Sequence, residues 1–271
     1  MVSRLGEQFA PITEQIAASI KYGMDVLPDA LWAEIKPVFM RAWPKEAIVA
    51  IWPDGSWREI ENINPAPHEA FSYSHADNAL LLNKRPALFL HSHPHGSAEP
   101  SDRDTESQIA TGWTWGIVAV HANLTGVTDV SYPEIWGPEK PVEPLLGRTY
   151  LWGIRDCWTL CEDYYRGLGR ALDPIPRVRE PGQHHVHARG QDPFRYWPSR
   201  LGFKPVDRSD RKAGDLVIMF WNSPIANHCA IYLGEGKYLH QLSKRHSEEW
   251  LPQQEERAIE KYAMQFWRLK P

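Results

Sequence analysis

The chain has 271 residues, a formal net charge of -4 and 42% hydrophobic residues, which is longer than the usual single domain and apolar enough for two cores. It lacks the clustered Lys and Arg that a phosphate backbone requires, which excludes nucleic acid as an expected partner. No apolar run reaches the ~18 residues of a membrane span, and the N-terminus lacks a charged-then-apolar secretion signal, so the chain is expected to have no transmembrane segment and to be made in a cytoplasm.

Residues 5–22 carry Phe9, Ile12, Ile16 and Ile20 close to helical spacing, with Gly23 as a stop, which predicts a surface or docking helix. A second helix is expected over residues 29–42, capped by Asp29 and ending before Pro44. Residues 47–52 read as a buried strand, and Pro53-Asp54-Gly55-Ser56 as a turn back into a second strand over residues 57–60. Glu46 stands at the mouth of the first strand, with Glu59 and Glu61 as rival carboxylates on the returning arm.

The run Leu88-Phe89-Leu90 leads into His91-Ser92-His93-Pro94 and then, after a turn-rich segment, Ser101-Asp102-Arg103-Asp104. On a strand, side chains two apart share a side, so His91 and His93 would present two imidazoles to one point. Ser101 reads as the start of a helix, and the loop before it lets Asp104 return to the same point. Two imidazoles and one carboxylate leave a fourth tetrahedral position open, the arrangement in which a hydrolytic Zn2+ brings bound water to a pKa of about 7. The plainer alternative is a capping box, with Asp104 serving only the helix N-terminus.

The complete spacing resembles the JAMM (MPN+) metallopeptidase signature. That resemblance implies a mixed sheet with flanking helices and zinc bound by His91, His93 and Asp104. It also implies Ser101 steadying the transition state and an upstream glutamate as general acid and base. Ala42-Trp43-Pro44-Lys45-Glu46 resembles the segment that leads into the family's first strand, which points to Glu46. The Cys-Gly that often follows this glutamate is here Ala47-Ile48.

A helix is expected over residues 102–112 and a strand over 113–121. Pro133, Pro138, Pro141 and Pro144 then crowd into an extended linker. The expected organisation is an N-terminal helical extension over residues 1–35, a first domain over 36–132, the linker over 133–145 and a second domain over 146–271.

The three cysteines, Cys157, Cys161 and Cys229, are too few for a disulfide framework, and at least one is expected to be kept for thiol chemistry. Asp156 is a good N-cap for an amphipathic helix running through Leu168. Cys157 then falls in the first turn, where the helix dipole favours thiolate, while Cys161 reads as packing. Downstream, Ala213-Gly214-Asp215 precedes the strand Leu216-Val217-Ile218-Met219-Phe220. His228 and His240 flank a Gly234-Glu235-Gly236 turn at an even spacing, which brings them together on paired strands. One imidazole takes the thiol proton and the other holds its partner's tautomer.

Asp-Cys opening a helix, then Gly-Asp-Leu-Val, then His228-Cys229-Ala230-Ile231-Tyr232-Leu233-Gly234, resembles the NlpC-type papain-like peptidases. That resemblance implies a papain-like domain with an antiparallel sheet that cleaves the stem peptides of bacterial peptidoglycan. Cys157 would be nucleophile, His228 general base, His240 the orienting residue, and Tyr150 an oxyanion aid. The usual small residue after the cysteine is here Trp158. Both modules in this order, with Pro144-Leu145-Leu146-Gly147-Arg148 and Leu242-Ser243-Lys244-Arg245, resemble tail tip assembly proteins of lambda-like phages. This implies other phage tail tip proteins as partners and action at the cell wall from the tail tip. An assembly scaffold with one or both sites inert is the alternative.

Three further segments are assigned plainer roles. Gln183-His184-His185-Val186-His187 reads as a polar loop, Trp197, Phe203 and Trp221 as core, and residues 248–257 as a solvated helix face.

Overall fold

Along Leu88-Phe89-Leu90-His91-Ser92-His93 every second side chain changes side, and this alternation sets the layering of the N-terminal half. Leu88 and Leu90 pack with Val49, Ile51, Val118 and Val120 into one core, whose helical side is Ile35, Val38 and Phe39. Phe89 and His91 belong to the opposite side, where their rings meet Phe71 and Trp115. This computed structural model describes residues 27–138, 140, 142–177, 179 and 192–270. The helix expected over residues 5–22 and the histidine-containing loop at 183–187 lie outside the described residues.

The chain divides into two compact units between residues 141 and 142. The N-terminal unit contains α1 (Asp29–Ala42), β1 (Ile48–Ile51), β2 (Trp57–Ile60), α2 (His75–Lys84), β3 (Leu88–His93), α3 (Asp102–Thr111), β4 (Trp115–Asn123), β5 (Gly126–Val130) and β6 (Glu134–Trp136). Its sheet runs β2-β1-β3-β4-β5, with β6 also paired to β4. The sheet is mixed, because β3 and β4 pair in parallel across the helical crossover α3 while the other pairs are antiparallel. In the β1–β3 register Ile48 stands opposite His91, so the end of β3 that carries the histidines lies beside the start of β1 and Glu46.

The C-terminal unit contains α4 (Cys157–Gly167), α5 (Pro193–Arg200), β7 (Phe203–Val206), β8 (Leu216–Met219), β9 (His228–Gly234), β10 (Lys237–His240), β11 (Glu248–Trp250), α6 (Glu255–Lys261) and β12 (Gln265–Leu269). Its sheet is wholly antiparallel in the order β11-β10-β9-β8-β12-β7. Leu160, Cys161, Tyr164 and Tyr165 of α4 pack on Leu216, Ile218, Cys229, Ile231 and Leu239. The alternate residues Val217, Met219, Ala230, Tyr232 and Tyr238 pack against Ala258 and Ile259 of α6. Both units therefore have the expected α+β character. Among the described residues, no helix is long and apolar enough to cross a membrane.

Several expected boundaries move. The limit at residue 35 falls inside α1, because Val38 and Phe39 bury with Ile35 in one core. Asp29 is the first helical residue rather than the cap, which is Pro28. The expected linker contains β6, whose Trp136 pairs with Trp115 and is buried. Residues 248–257 are not one helix face: Glu248–Trp250 form an edge strand on β10, and α6 begins only at Glu255. The helix α2 had no apolar periodicity to announce it, although Ser74-x-x-Asp77 is a capping signal.

Candidate functional site

In the N-terminal unit His91, His93 and Asp104 each bring a donor atom within 4.8 Å of the other two. The two imidazole Nε2 atoms stand 3.1 Å apart. Asp104 faces both, with Oδ1 3.4 Å from His91 Nε2 and Oδ2 3.4 Å from His93 Nε2. His93 Nδ1 is 3.0 Å from the Ser97 carbonyl. A carbonyl only accepts, so Nδ1 carries the hydrogen and Nε2 keeps its lone pair toward the shared point.

Asp104 is held by the start of its own helix. Ser101 Oγ and the Ser101 backbone N–H both donate to Oδ2 at 2.7 Å, and the Asp104 N–H returns a bond to Ser101 Oγ at 3.1 Å. The capping box and the carboxylate of the cluster are one structure, not the alternatives that the sequence offered. Burial drives His91 below its ordinary pKa. It also pushes His93 down and Asp104 up, but in both the mutual attraction and hydrogen bonding win, so His93 ends raised and Asp104 well below the carboxylate range.

Glu46 is 7% exposed and lines the same cleft of about 570 Å³, together with His93, Ser101, Asp104 and the aromatic rings of Phe71 and Trp115. Burial pushes its carboxyl up to about 7; His93 pulls against this and Asp104 adds to it. Its strand is tied to the histidine strand by the Ala47 N–H donating to Ser92 Oγ at 2.8 Å. The rival carboxylates lie elsewhere: Glu59 and Glu61 are exposed.

In the C-terminal unit Asp156 caps α4, its Oδ1 accepting from the N–H groups of Trp158 and Thr159 at 3.0 and 3.1 Å. This fixes Cys157 as the first helical residue. The Cys229 thiol and the His228 imidazole both act on the Cys157 thiol at this point. His228 Nε2 is 3.1 Å from His240 Nδ1, which leaves Nδ1 of His228 as the nitrogen for the sulfur. The pairing is diagonal rather than direct, because a register shift at Lys237/Tyr238 sets His240 opposite Ala230. Burial, with Arg245 nearby, holds His240 down at about 4, so it stays neutral. With its hydrogen on Nε2, His240 accepts through Nδ1 and keeps the hydrogen of His228 on Nε2, the tautomer that a base acting through Nδ1 needs.

Two expectations here are corrected. Cys157 is not a resting thiolate, because the hydrogen bond with Cys229 and burial raise its pKa and outweigh the lowering by His228. The sulfur is therefore held as a thiol rather than a thiolate. Trp221 is not simply core, since its ring lies 5.6 Å from His228 and 5.8 Å from His240 and stacks on Tyr262 at 4.1 Å. Tyr150 lines a recess of about 440 Å³ with Thr149, Lys244, Arg245, His246 and Glu248. Glu248 of that recess stands 3.7 Å from His240 Nε2.

Sequence reasoning missed Arg177 and the position of Cys229. Arg177 pairs with Asp156 Oδ2 at 2.6 Å and acts electrostatically on Cys157. No local pattern marks an arginine so far along the chain. Cys229 was detectable, because it follows His228 directly.

Residues 147–268 match the NlpC/P60 family. The chain is 28% identical over 170 residues to the tail tip assembly protein K of Escherichia phage lambda, covering 59% of this chain and 75% of that protein. It is also 28% identical over 190 residues to the protein of the same name from Escherichia phage N15, covering 67% and 70%. A solved NlpC/P60 family protein from Bacillus cereus aligns at 17% identity with a TM-score of 0.32, over 84% of this chain and 61% of that one, less than two thirds of its length. The family match over residues 147–268 and the two phage relatives support a cysteine-type peptidase related to phage tails.

Proposed function

We propose that the C-terminal unit is an endopeptidase that hydrolyses peptide bonds in the stem peptides of bacterial peptidoglycan, acting in tail assembly and cell-wall penetration. The observation that carries the reading is the chain of contacts from Cys157 through His228 to His240. His228 Nδ1 takes the thiol proton as Cys157 Sγ attacks the carbonyl carbon. His240 accepts from His228 Nε2–H and stabilises the imidazolium that forms. The imidazolium then gives its proton to the leaving amine, a thioester remains on Cys157, and His228 activates the water that releases the acid. The positive end of α4 favours the developing charge, with Tyr150 proposed as a further donor to the oxyanion.

The N-terminal unit is proposed to be a zinc-dependent JAMM-like peptidase or isopeptidase. The donor set fits: two imidazole nitrogens and one carboxylate converge beside an open cleft, as a catalytic zinc requires. His91, His93 and Asp104 would hold Zn2+, which when bound supplies Lewis-acid polarisation and an activated water. Ser97 orients the His93 ring, Ser101 orients Asp104, and Glu46, poised at about 7, holds or releases a proton over the cleft. The names of the two phage relatives add a role in building the tail tip, with other tail tip proteins as partners during synthesis in the host cytoplasm and at the tail.

The test is digestion of purified peptidoglycan by the whole chain, with the new peptide ends identified by mass. Stem-peptide cleavage that a chelator leaves intact and Cys157→Ala abolishes is expected. Cleavage that survives Cys157→Ala would overturn the assignment. A wild-type chain that releases nothing, binds no zinc and alkylates all its thiols slowly would favour the scaffold.

A further inference from the structure

The three cysteines of the chain gather at one core cluster, although Cys157 and Cys161 come from α4 and Cys229 from β9. Cys157 and Cys161 are one helical turn apart and share a face. Cys229 Sγ lies 3.8 Å from Cys161 Sγ, and Cys157 packs against the same cluster, where its thiol and that of Cys229 act on each other. Cys161 and Cys229 are wholly buried, whereas Cys157 is partly exposed. An oxidant in solution therefore reaches the row of sulfurs only through Cys157.

We propose that Cys229 is the resolving thiol for oxidised Cys157, so that a hydroperoxide converts the pair into a reversible Cys157–Cys229 disulfide. This rests on reading Cys157 as the nucleophile that His228 deprotonates. The Cys157 sulfur attacks one oxygen of the peroxide, the O–O bond breaks, and the leaving oxygen departs as water with the proton held on His228. Cys157 is then a sulfenic acid. The Cys229 sulfur attacks the Cys157 sulfur, the S–O bond breaks, and hydroxide leaves as water with the Cys229 proton. Two thiols and one peroxide give one disulfide and two waters, with no other reductant or oxidant.

The placement gives Cys229 a chemical use that packing does not. A buried sulfur in the cluster against which the nucleophile packs meets the sulfenic acid before a second peroxide does, which stops the oxidation short of the irreversible sulfinic and sulfonic acids. Formation of the bond requires the two sulfurs to close from contact to about 2.05 Å. Cys161, wholly buried, is out of the oxidant's reach and takes no part.

The experiment treats the whole chain with hydrogen peroxide, blocks remaining thiols under denaturing conditions, and maps the peptides by mass. Wild type is expected to lose the mass of two hydrogens, to yield a peptide joining Cys157 to Cys229 with Cys161 alkylated, and to recover fully on reduction. Cys229→Ser should carry Cys157 to sulfinic acid with no recovery, while Cys161→Ser should behave as wild type. Sulfinic acid at Cys157 in the wild type, a Cys161–Cys229 bond, or an unmodified Cys157 would each overturn the proposal. The wild-type map decides even if Cys229→Ser fails to fold, which circular dichroism reports. A crosslink formed in a chain that cuts no peptidoglycan would uphold the oxidation site and reject the peptidase. Cleavage without a crosslink would do the reverse.

Discussion

His91 and His93 stand two residues apart on one strand and His228 and His240 on neighbouring strands, yet in both pairs ring nitrogens come to 3.1 Å. The difference lies in which nitrogens meet. In the first pair two Nε2 atoms aim at one point, and Asp104 closes the set from the third side. In the second an Nε2 meets an Nδ1, so the rings lie in series and the remaining nitrogen of His228 is passed to a sulfur. Convergent lone pairs suit a cation, and rings in series suit a moving proton. The partners agree: a buried carboxylate held far below its usual pKa in one unit, and in the other a thiol held above its own.

The strongest way to break this comparison is to remove one member from each set and ask whether the other responds. Cys157→Ala should lower peptidoglycan cleavage by at least about 10⁴-fold, as loss of a nucleophile does elsewhere, and leave bound zinc unchanged. Conversely, His91→Ala or Asp104→Ala should weaken zinc binding by more than about 100-fold, since outer-shell partners alone typically cost 10- to 100-fold. Elemental analysis and the cleavage assay on the same preparations would score both. Cleavage that falls with His91→Ala, or zinc that leaves with Cys157→Ala, would show that the two sets are not independent.

These two sets were legible to different depths. His91, His93 and Asp104 lie within fourteen positions on one strand–loop–helix unit, so local periodicity and a capping signal nearly define their geometry. Cys157 and His228 are far apart in sequence; residue patterns offered them as a pair only weakly, and the family resemblance strengthened the link. Protonation was the least legible property. The helix N-terminus suggested a thiolate at Cys157, but whether that field prevails depends on burial and on Cys229, which arrives from another element. At Glu46 the sequence showed a carboxylate at the mouth of a strand but not that the fold encloses it and raises its carboxyl to about 7.

Acid–base linkage sharpens the comparison, because the two units should respond to pH with opposite signs. Glu46 titrates at about 7 against an ordinary 4.5, so folding favours its protonated form. That contribution is fully present below 4.5 and is lost as pH rises through about 7. His240 titrates at about 4 against 6.5, so its contribution is present above 6.5 and is lost as pH falls through about 4. At about 1.36 kcal/mol per pH unit, each effect amounts to roughly 3 kcal/mol. Glu46→Gln in the metal-free chain should therefore stabilise β1 and β3 by about 2–3 kcal/mol near pH 8 and by far less near pH 5. Amide exchange in those strands is the measurement, and an equal gain at both pH values would refute the ionised, buried carboxylate.

The smallest expected effect separates a cap from a site within one unit. Ser74-x-x-Asp77 and Ser101-x-x-Asp104 share two bonds, the serine hydroxyl donating to the aspartate at 2.7 Å and accepting the aspartate N–H at 3.1 Å, and Ser101 adds the backbone N–H bond that completes its box. The spare oxygen decides what the box is for. Asp77 Oδ1 goes to Arg58 at 3.1 Å, whereas Asp104 Oδ1 faces His91. Ser74→Ala and Ser101→Ala should each lose about 1 kcal/mol on urea unfolding. Only Ser101→Ala should also weaken zinc binding, by about tenfold, because it releases the carboxylate that the ion would need held in place. If both substitutions leave zinc affinity unchanged, Ser101 serves the helix alone, and the geometry of Asp104 is set by His91 and His93 instead.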